Sequence, residues 1–304
     1  MKTLPLYLYA LDPTHVGAGG YRLGRVDLSI VREAPSGLPI LPGSSLNGAL
    51  RAAALYCLED DDDRRRAMAY ARATLDGPNA RRPHRGADDP VASLFGYAEG
   101  DDAGQSRIGV LSFHDAGILA FPVPTVAGPR WIATAARLAE AGAGDCPAPR
   151  AVDEILVPQG DVQPERLNLG SLLFQTRRTD LPALPDGDRA GGLEPVLEHI
   201  ASRLAVVHDD VFSALVNANL ETRTSVTLDF ETGAAAPQLL FNYEATPRGT
   251  LYRTEVGIDG RDPELARAAR ALLEKALALA CAGGLGAMTT RGFGRMRPGL
   301  VDPA

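Results

Sequence analysis

The stretch from Pro13 to Arg51 constrains the fold more than any other part of the chain. It runs a glycine-rich loop, a short apolar run, a proline-bracketed turn and a helix start together without a break. The loop holds His15, Gly17, Gly19 and Gly20, followed by Arg22 and Arg25. Residues 26–31 read as a strand that sets Asp27 between Val26 and Leu28 on an ordered edge. Pro42, Gly43, Ser44 and Ser45 then open a helix that carries Arg51 two turns in. Glycines let backbone N–H groups approach a ligand closely, and a helix start adds a positive dipole end suited to phosphate. The sum is a surface fit to cradle a phosphate backbone, with one carboxylate beside it.

Plainer readings fit the same residues. Ser44 or Ser45 makes an ordinary helix cap, and a glycine cluster makes an ordinary turn. Three familiar motifs are excluded. Counted from Gly17, the third glycine of a dinucleotide fingerprint falls on Arg22. A Walker loop needs Gly-Lys, and neither Lys2 nor Lys275, the chain's two lysines, follows a glycine. The turn at Gly43 lacks the spacing of a nucleophile elbow.

A net charge of -7 excludes a uniformly basic nucleic-acid binder, so RNA contact would need arginines gathered on one face. Apart from the two lysines, all 31 basic residues are arginine, which makes bidentate phosphate contacts and stacks on bases. With 304 residues, 45% of them hydrophobic, the chain sustains a sizeable core. Cys57, Cys146 and Cys281 lie too far apart for a zinc site or a disulfide framework, which points to the reducing cytoplasm. The apolar residues 4–11 end at Asp12-Pro13 without a small-residue cleavage site, so they read as a first strand and not as a signal peptide. No window approaches the length of a membrane span.

Further along, Leu46, Ala49, Leu50, Ala53 and Ala54 give a helix over 44–58 its apolar face. A mobile loop is expected at 74–90 and a short helix or turn at 91–97. Strand-like runs fill Arg107–Pro124, broken at Asp115-Ala116-Gly117, and adjacent His114 and Asp115 would point to opposite faces. Helices are expected at about 130–141 and 193–206, strand pieces near 153–157 and 169–175, and hairpins over 216–257. Asp262 and Pro263 then start a helix that Gly283-Gly284 ends, and a Gly-Arg loop, 289–298, enters a last strand. Phe293 in that loop either stacks on a base or fills the core.

This order predicts an α+β protein with a ferredoxin-like (RRM-like) core, one sheet face covered by helices, and large insertions. A single domain is expected, its core drawn from about 1–60, 107–124 and 238–298 and its insertions from about 61–106 and 125–237.

The ordered motifs PTHVGAG, RVDLSIVRE, SGLPILPGSSLNGALR and TTRGFGRMR resemble the RAMP superfamily of CRISPR proteins. LFGYAEG, GVLSFHDAGILAFPV and TRTSVTLDFETG through LLFNYEA are similar to the backbone subunit of type III-B (Cmr) effectors. The resemblance implies a cytoplasmic subunit that binds CRISPR RNA, lines up with further copies of itself and with other type III subunits, and cleaves paired target RNA. It implies a catalytic role for Asp27, with Mg²⁺ as a cofactor that Asp27 helps to hold. It implies guide contacts at His15, Gly17, Gly19, Arg22, Arg25, Ser44, Ser45, Asn47, Arg51, Arg291, Gly292, Gly294 and Arg295, and a protruding thumb hairpin with Asn217, Arg223 and Thr224. Asn47 stands where the family usually has a lysine. By their residue types alone, His15 also suits a general base or a loop-bonding structural histidine. Asp27 also suits an acid paired with Arg25. A non-catalytic scaffold and a precursor-processing ribonuclease are the alternatives.

Overall fold

The computed structural model describes residues 1–19, 26–75, 89–97, 106–161, 164–184, 190–228, 231, 233 and 235–302. In β1 (Lys2–Ala10) the side chains alternate between two apolar layers. Leu4, Leu6, Leu8 and Ala10 enter one, and Tyr7 and Tyr9 the other. A strand apolar on both faces belongs inside a sheet covered on both sides.

Next come β2 (Ile40–Leu41), α1 (Gly43–Cys57), α2 (Asp61–Leu75), α3 (Pro90–Phe95), β3 (Gly96–Tyr97), β4 (Arg107–Ile108), β5 (Leu111–Phe113), β6 (Ala116–Val123), β7 (Arg130–Thr134) and α4 (Ala135–Glu140). The second half holds β8 (Glu154–Pro158), β9 (Arg166–Leu169), β10 (Leu172–Thr179), α5 (Glu194–Ser202), β11 (Leu204–Val207), α6 (Asp209–Ala218), β12 (Glu221–Leu228), β13 (Ala235–Ala245), β14 (Leu251–Ile258), α7 (Pro263–Gly283) and β15 (Met296–Leu300). One mixed sheet runs β15-β1-β14-β6-β7-β11-β8-β10-β9, with β2 beside β6 and β5 beside β14. The pairs β7–β11 and β8–β10 are parallel. β12 and β13 stand apart as their own antiparallel hairpin.

Helices cover both faces, not one. α1 and α7 bury Leu46, Leu50, Leu273 and Leu277 with the Leu4–Leu8 layer. α5 buries Leu197 and Ile200 on the opposite side, with Tyr7, Trp131 and Val206. Within the region expected as an insertion, 125–237, β7 to β11 extend the same sheet.

The helix expected at 130–141 divides. Its first five residues are the buried strand β7, and the Thr134 hydroxyl then caps α4 at Arg137 N. The helix expected at 193–206 also divides, because Leu204 is the first residue of β11 and not the end of a helical stripe. α6 occupies the start of the region read as hairpins. Most of the loop expected at 74–90 lies outside the described residues. α7 begins and ends as its sequence dictates: Asp262 accepts from Glu264 N and Leu265 N, and Gly284 turns the chain at φ 101°. Among the described residues no helix is long and apolar enough to cross a membrane.

Candidate nucleic-acid interface

Residues 26–31 do not form the expected strand. They make single bridges to different partners: Leu28 to Tyr243 and Ile30 to Gly17. Asp27 N and Leu28 N both donate to Asn242 O at 3.0 Å, and Glu244 N donates to Leu28 O at 3.1 Å. Asn242 N returns a bond to Asp27 Oδ2 at 2.7 Å. Asp27 thus hangs from the foot of the β12–β13 hairpin, exposed to solvent. Among the described residues its other oxygen takes no hydrogen bond. β13 alternates at this point. Tyr243 and Ala245 turn inward against Phe293, while Asn242 and Glu244 face the Asp27 segment. Across the hairpin, the Thr224 hydroxyl donates to Asn242 Oδ1 at 2.5 Å.

Three residues that sequence reading passed over brace this foot. Arg32 donates to Glu244 Oε2 at 2.9 Å, to Asn217 Oδ1 at 3.1 Å and to Ile30 O at 3.2 Å. Glu244, which Arg32 holds, and Asn242, two positions before it and bonded to Asp27, are the polar residues of an otherwise apolar and aromatic strand end. That alternation was the available signal. Asn217, expected on the thumb, lies in α6 instead, where its amide donates to Ser213 O and Gly37 O. Thr224 and Arg223 do lie on β12.

His15 is 3% exposed. Its Nδ1 bonds Glu244 O at 2.5 Å, its ring meets Tyr243 edge-on, and its carbonyl accepts from Ala287 N at 2.8 Å. A Cβ on Gly286 would come within 2.5 Å of that carbonyl. His15 therefore ties the first loop to β13 through its ring and to the C-terminal loop through its carbonyl, from the interior. Gly17 packs against its ring, Gly19 is exposed, and Arg22 and Arg25 lie outside the described residues.

The C-terminal loop closes the same cluster. Phe293 is 1% exposed, edge-on to Tyr243, with the Arg223 guanidinium 4.9 Å from its ring centre, so it fills core and does not stack on a base. Arg223 also pairs with Glu221. Gly294 takes φ +81° with Leu285 O pressed against it, and Gly292 takes φ +80° in the open. Arg295 grips Asp12 through two bonds, 2.6 and 3.0 Å. Those bonds hold the Asp12 carboxyl below its ordinary value, against a smaller upward push from burial. Arg291 is exposed, and its side chain is unpaired among the described residues.

The start of α1 is built separately. Neither serine caps it. Asp115 Oδ1 accepts from Gly43 N at 2.7 Å, and Ser44 and Ser45 stand exposed in the first turn. Gly43 has no room for a side chain, because a Cβ would meet Phe113 O at 2.3 Å. Among the described residues the Asn47 side-chain oxygen is buried without a partner, and Arg51 donates to Gly96 O at 2.9 Å. Among the described residues, no hydrogen bond or ion pair joins these four to the Asp27 cluster. No three metal-binding side chains gather among the described residues, so Asp27 stands as a single acid.

The chain is 27% identical over 266 residues to the CRISPR system Cmr endoribonuclease Cmr4 of Pyrococcus furiosus, covering 83% of this chain and 80% of the relative. Oligomeric Cmr4 from Pyrococcus furiosus superposes with a TM-score of 0.60 at 21% identity, covering 100% of this chain and 99% of that one. A chain of the type III-B Cmr-beta complex bound to cognate target RNA gives 0.62 at 14% identity, with 99% and 97% covered. Residues 7–297 match the RAMP superfamily, and the chain belongs to that family.

Proposed function

We propose that this protein is a backbone subunit of a type III-B CRISPR effector. It holds CRISPR RNA side by side with further copies of itself and other subunits, and it cuts the paired target RNA at Asp27. On this reading β1, α1, β14, α7 and β15 belong to a ferredoxin-like core, and the β12–β13 hairpin is the thumb. One observation carries the proposal: an exposed carboxylate pinned by a single oxygen at the foot of that hairpin. The endoribonuclease named among its relatives supports it.

RNA brings its own nucleophile, the 2′-OH. Cleavage needs that hydroxyl in line with the neighbouring phosphorus, and such alignment is worth up to roughly 7–11 kcal/mol. The unbonded oxygen of Asp27 takes the hydroxyl proton as the 2′-oxygen bonds phosphorus, the P–O5′ bond breaks and water protonates the departing 5′-oxygen, leaving a 2′,3′-cyclic phosphate. The donor set fits Mg²⁺ as one carboxylate joined by water and RNA phosphate oxygens. When bound, the ion supplies charge neutralisation at the phosphate.

The guide-holding side follows from which groups are free. Ser44 and Ser45 offer hydrogen bonds at the start of α1, and Gly17, Gly19 and Gly292 let the backbone approach, while Gly294 makes room for Leu285 O inside the fold. Arg291 supplies charge, together with Arg22 and Arg25. His15, Arg51, Arg223 and Arg295 each engage part of the side chain within the protein and shape the surface. With Asn47 in place of a lysine, the salt dependence of guide binding falls by about one unit of slope.

The test is cleavage of guide-complementary RNA by the assembled complex, with and without Mg²⁺, for wild type and Asp27→Ala. Regularly spaced fragments that vanish in the variant, with RNA affinity intact, are the expected result. Tight binding without fragments from wild type would leave a non-cleaving scaffold. The engaged imidazole of His15 favours that second reading, since it leaves no free histidine beside Asp27 among the described residues. Cutting of repeat RNA by the free protein without a guide would mean precursor processing instead.

A further inference from the structure

We infer that Arg32 is a positioning residue for Asp27, locking the orientation of the hairpin to the acid; this rests on the proposed role of Asp27. Arg32 lies on the same segment as Asp27, and its three nitrogens reach three different elements. One bonds Ile30 O in its own segment, one Asn217 Oδ1 on α6, and one Glu244 Oε2 on β13. α6 ends at Ala218, just ahead of the start of β12 at Glu221, and β13 is the strand from which Asp27 hangs. A single guanidinium therefore spans the approach to one hairpin strand and the root of the other. Any tilt of the hairpin against α6 strains these bonds and carries Asn242, and with it the Asp27 carboxylate, out of place. A planar fork with fixed donor directions suits this task, and an ammonium does not.

Charge gives Arg32 a second reason to be there. The Glu244 side chain is 16% exposed and sits two positions from Asn242 on the same strand face. Without Arg32 it would be an unpaired carboxylate two positions from the residue whose N–H holds Asp27. With Arg32, Glu244 is neutralised and Asp27 stays the uncompensated acid, having no ion-pair partner among the described residues.

The experiment uses the guide-loaded complex carrying Arg32→Gln, Glu244→Gln, both together, Arg32→Lys, or Asp27→Ala. Single-turnover cleavage and RNA dissociation are measured separately, at a temperature where thermal melts show every variant folded. Each glutamine variant is expected to cut roughly 10- to 100-fold more slowly, the scale of a misplacement near 1 Å, with unchanged RNA affinity. The double variant is expected to be no slower than the slower single, because the two side chains act as one unit. Arg32→Lys should fall between wild type and Arg32→Gln. Wild-type rates in Arg32→Gln, multiplying losses in the double variant, or rate and affinity falling together would each overturn the inference. Cleavage that persists in Asp27→Ala would sink the reading of the site itself, and the inference with it. Its loss there, beside a wild-type rate in Arg32→Gln, sinks the inference alone.

Discussion

At the foot of the hairpin, Asp27 accepts a backbone N–H from a residue 215 positions away; at the start of α1, Asp115 accepts one from a residue 72 positions away. The bonds are alike in length and chemistry, yet their consequences differ. The N–H that Asp115 takes belongs to a helix start, where no intrahelical partner exists. Its carboxylate completes the helix. The N–H that Asp27 takes belongs to an exposed strand, where water is an adequate substitute. There the bond serves the carboxylate, fixing the direction in which it points. An acid that holds the fold and an acid the fold displays are told apart by what their partner would lose.

Removing the pin beneath the foot should have the largest effect. Phe293→Ala empties a site that is 1% exposed between Tyr243 and Arg223, and about 3–5 kcal/mol of stability should be lost in urea unfolding. A loss below about 1 kcal/mol would mean that the loop and hairpin are not packed as one unit. The two acids come next. Asp115→Ala should cost about 1–2 kcal/mol, as the loss of a helix cap does. Asp27→Ala should change stability by no more than about 0.5 kcal/mol, as exposed substitutions do, while abolishing cleavage. Equal costs for the two would erase the distinction drawn above. Since Asp115 and Phe293 share no partner, their costs should add.

The smallest effect concerns Asp12. Its folded carboxyl titrates below the unfolded value because of Arg295, so the pair stabilises the protein above the ordinary aspartate value of 3.8. That contribution is lost as pH falls through the depressed folded value. The Tm difference between wild type and Asp12→Asn should therefore be present at neutral pH and fade in acid. A difference that grows in acid would contradict the pairing.

What could be read from sequence was what is decided locally. Asp262, Pro263 and Gly283-Gly284 bound α7 by chemistry that sits within a few residues of each end. The faces of α1 and the depth of β1 followed from their apolar spacing. Distant decisions were not visible. Ser44 and Ser45 fit a helix cap by type, but Asp115, from the connection between β5 and β6, takes that role. Val26–Val31 has the alternation of a strand, but its bridges are to single residues from two places. Leu204 continues the stripe of α5 numerically, yet its pairing with Trp131 makes it β11. Asp27 was legible as a candidate because it is an isolated acid in an apolar run. Its clamp was not, because Asn242, Arg32 and Glu244 come together only once the hairpin is folded.

The clamp on Asp27 has a further property. Its donor is the main chain of Asn242, not the side chain. Every residue but proline carries that N–H, so eighteen of the nineteen replacements at 242 leave the donor itself in place. The aim of the carboxylate is thereby insulated from drift at the position that aims it, and a lineage can alter the hairpin surface to suit different RNA without re-inventing how the acid is held.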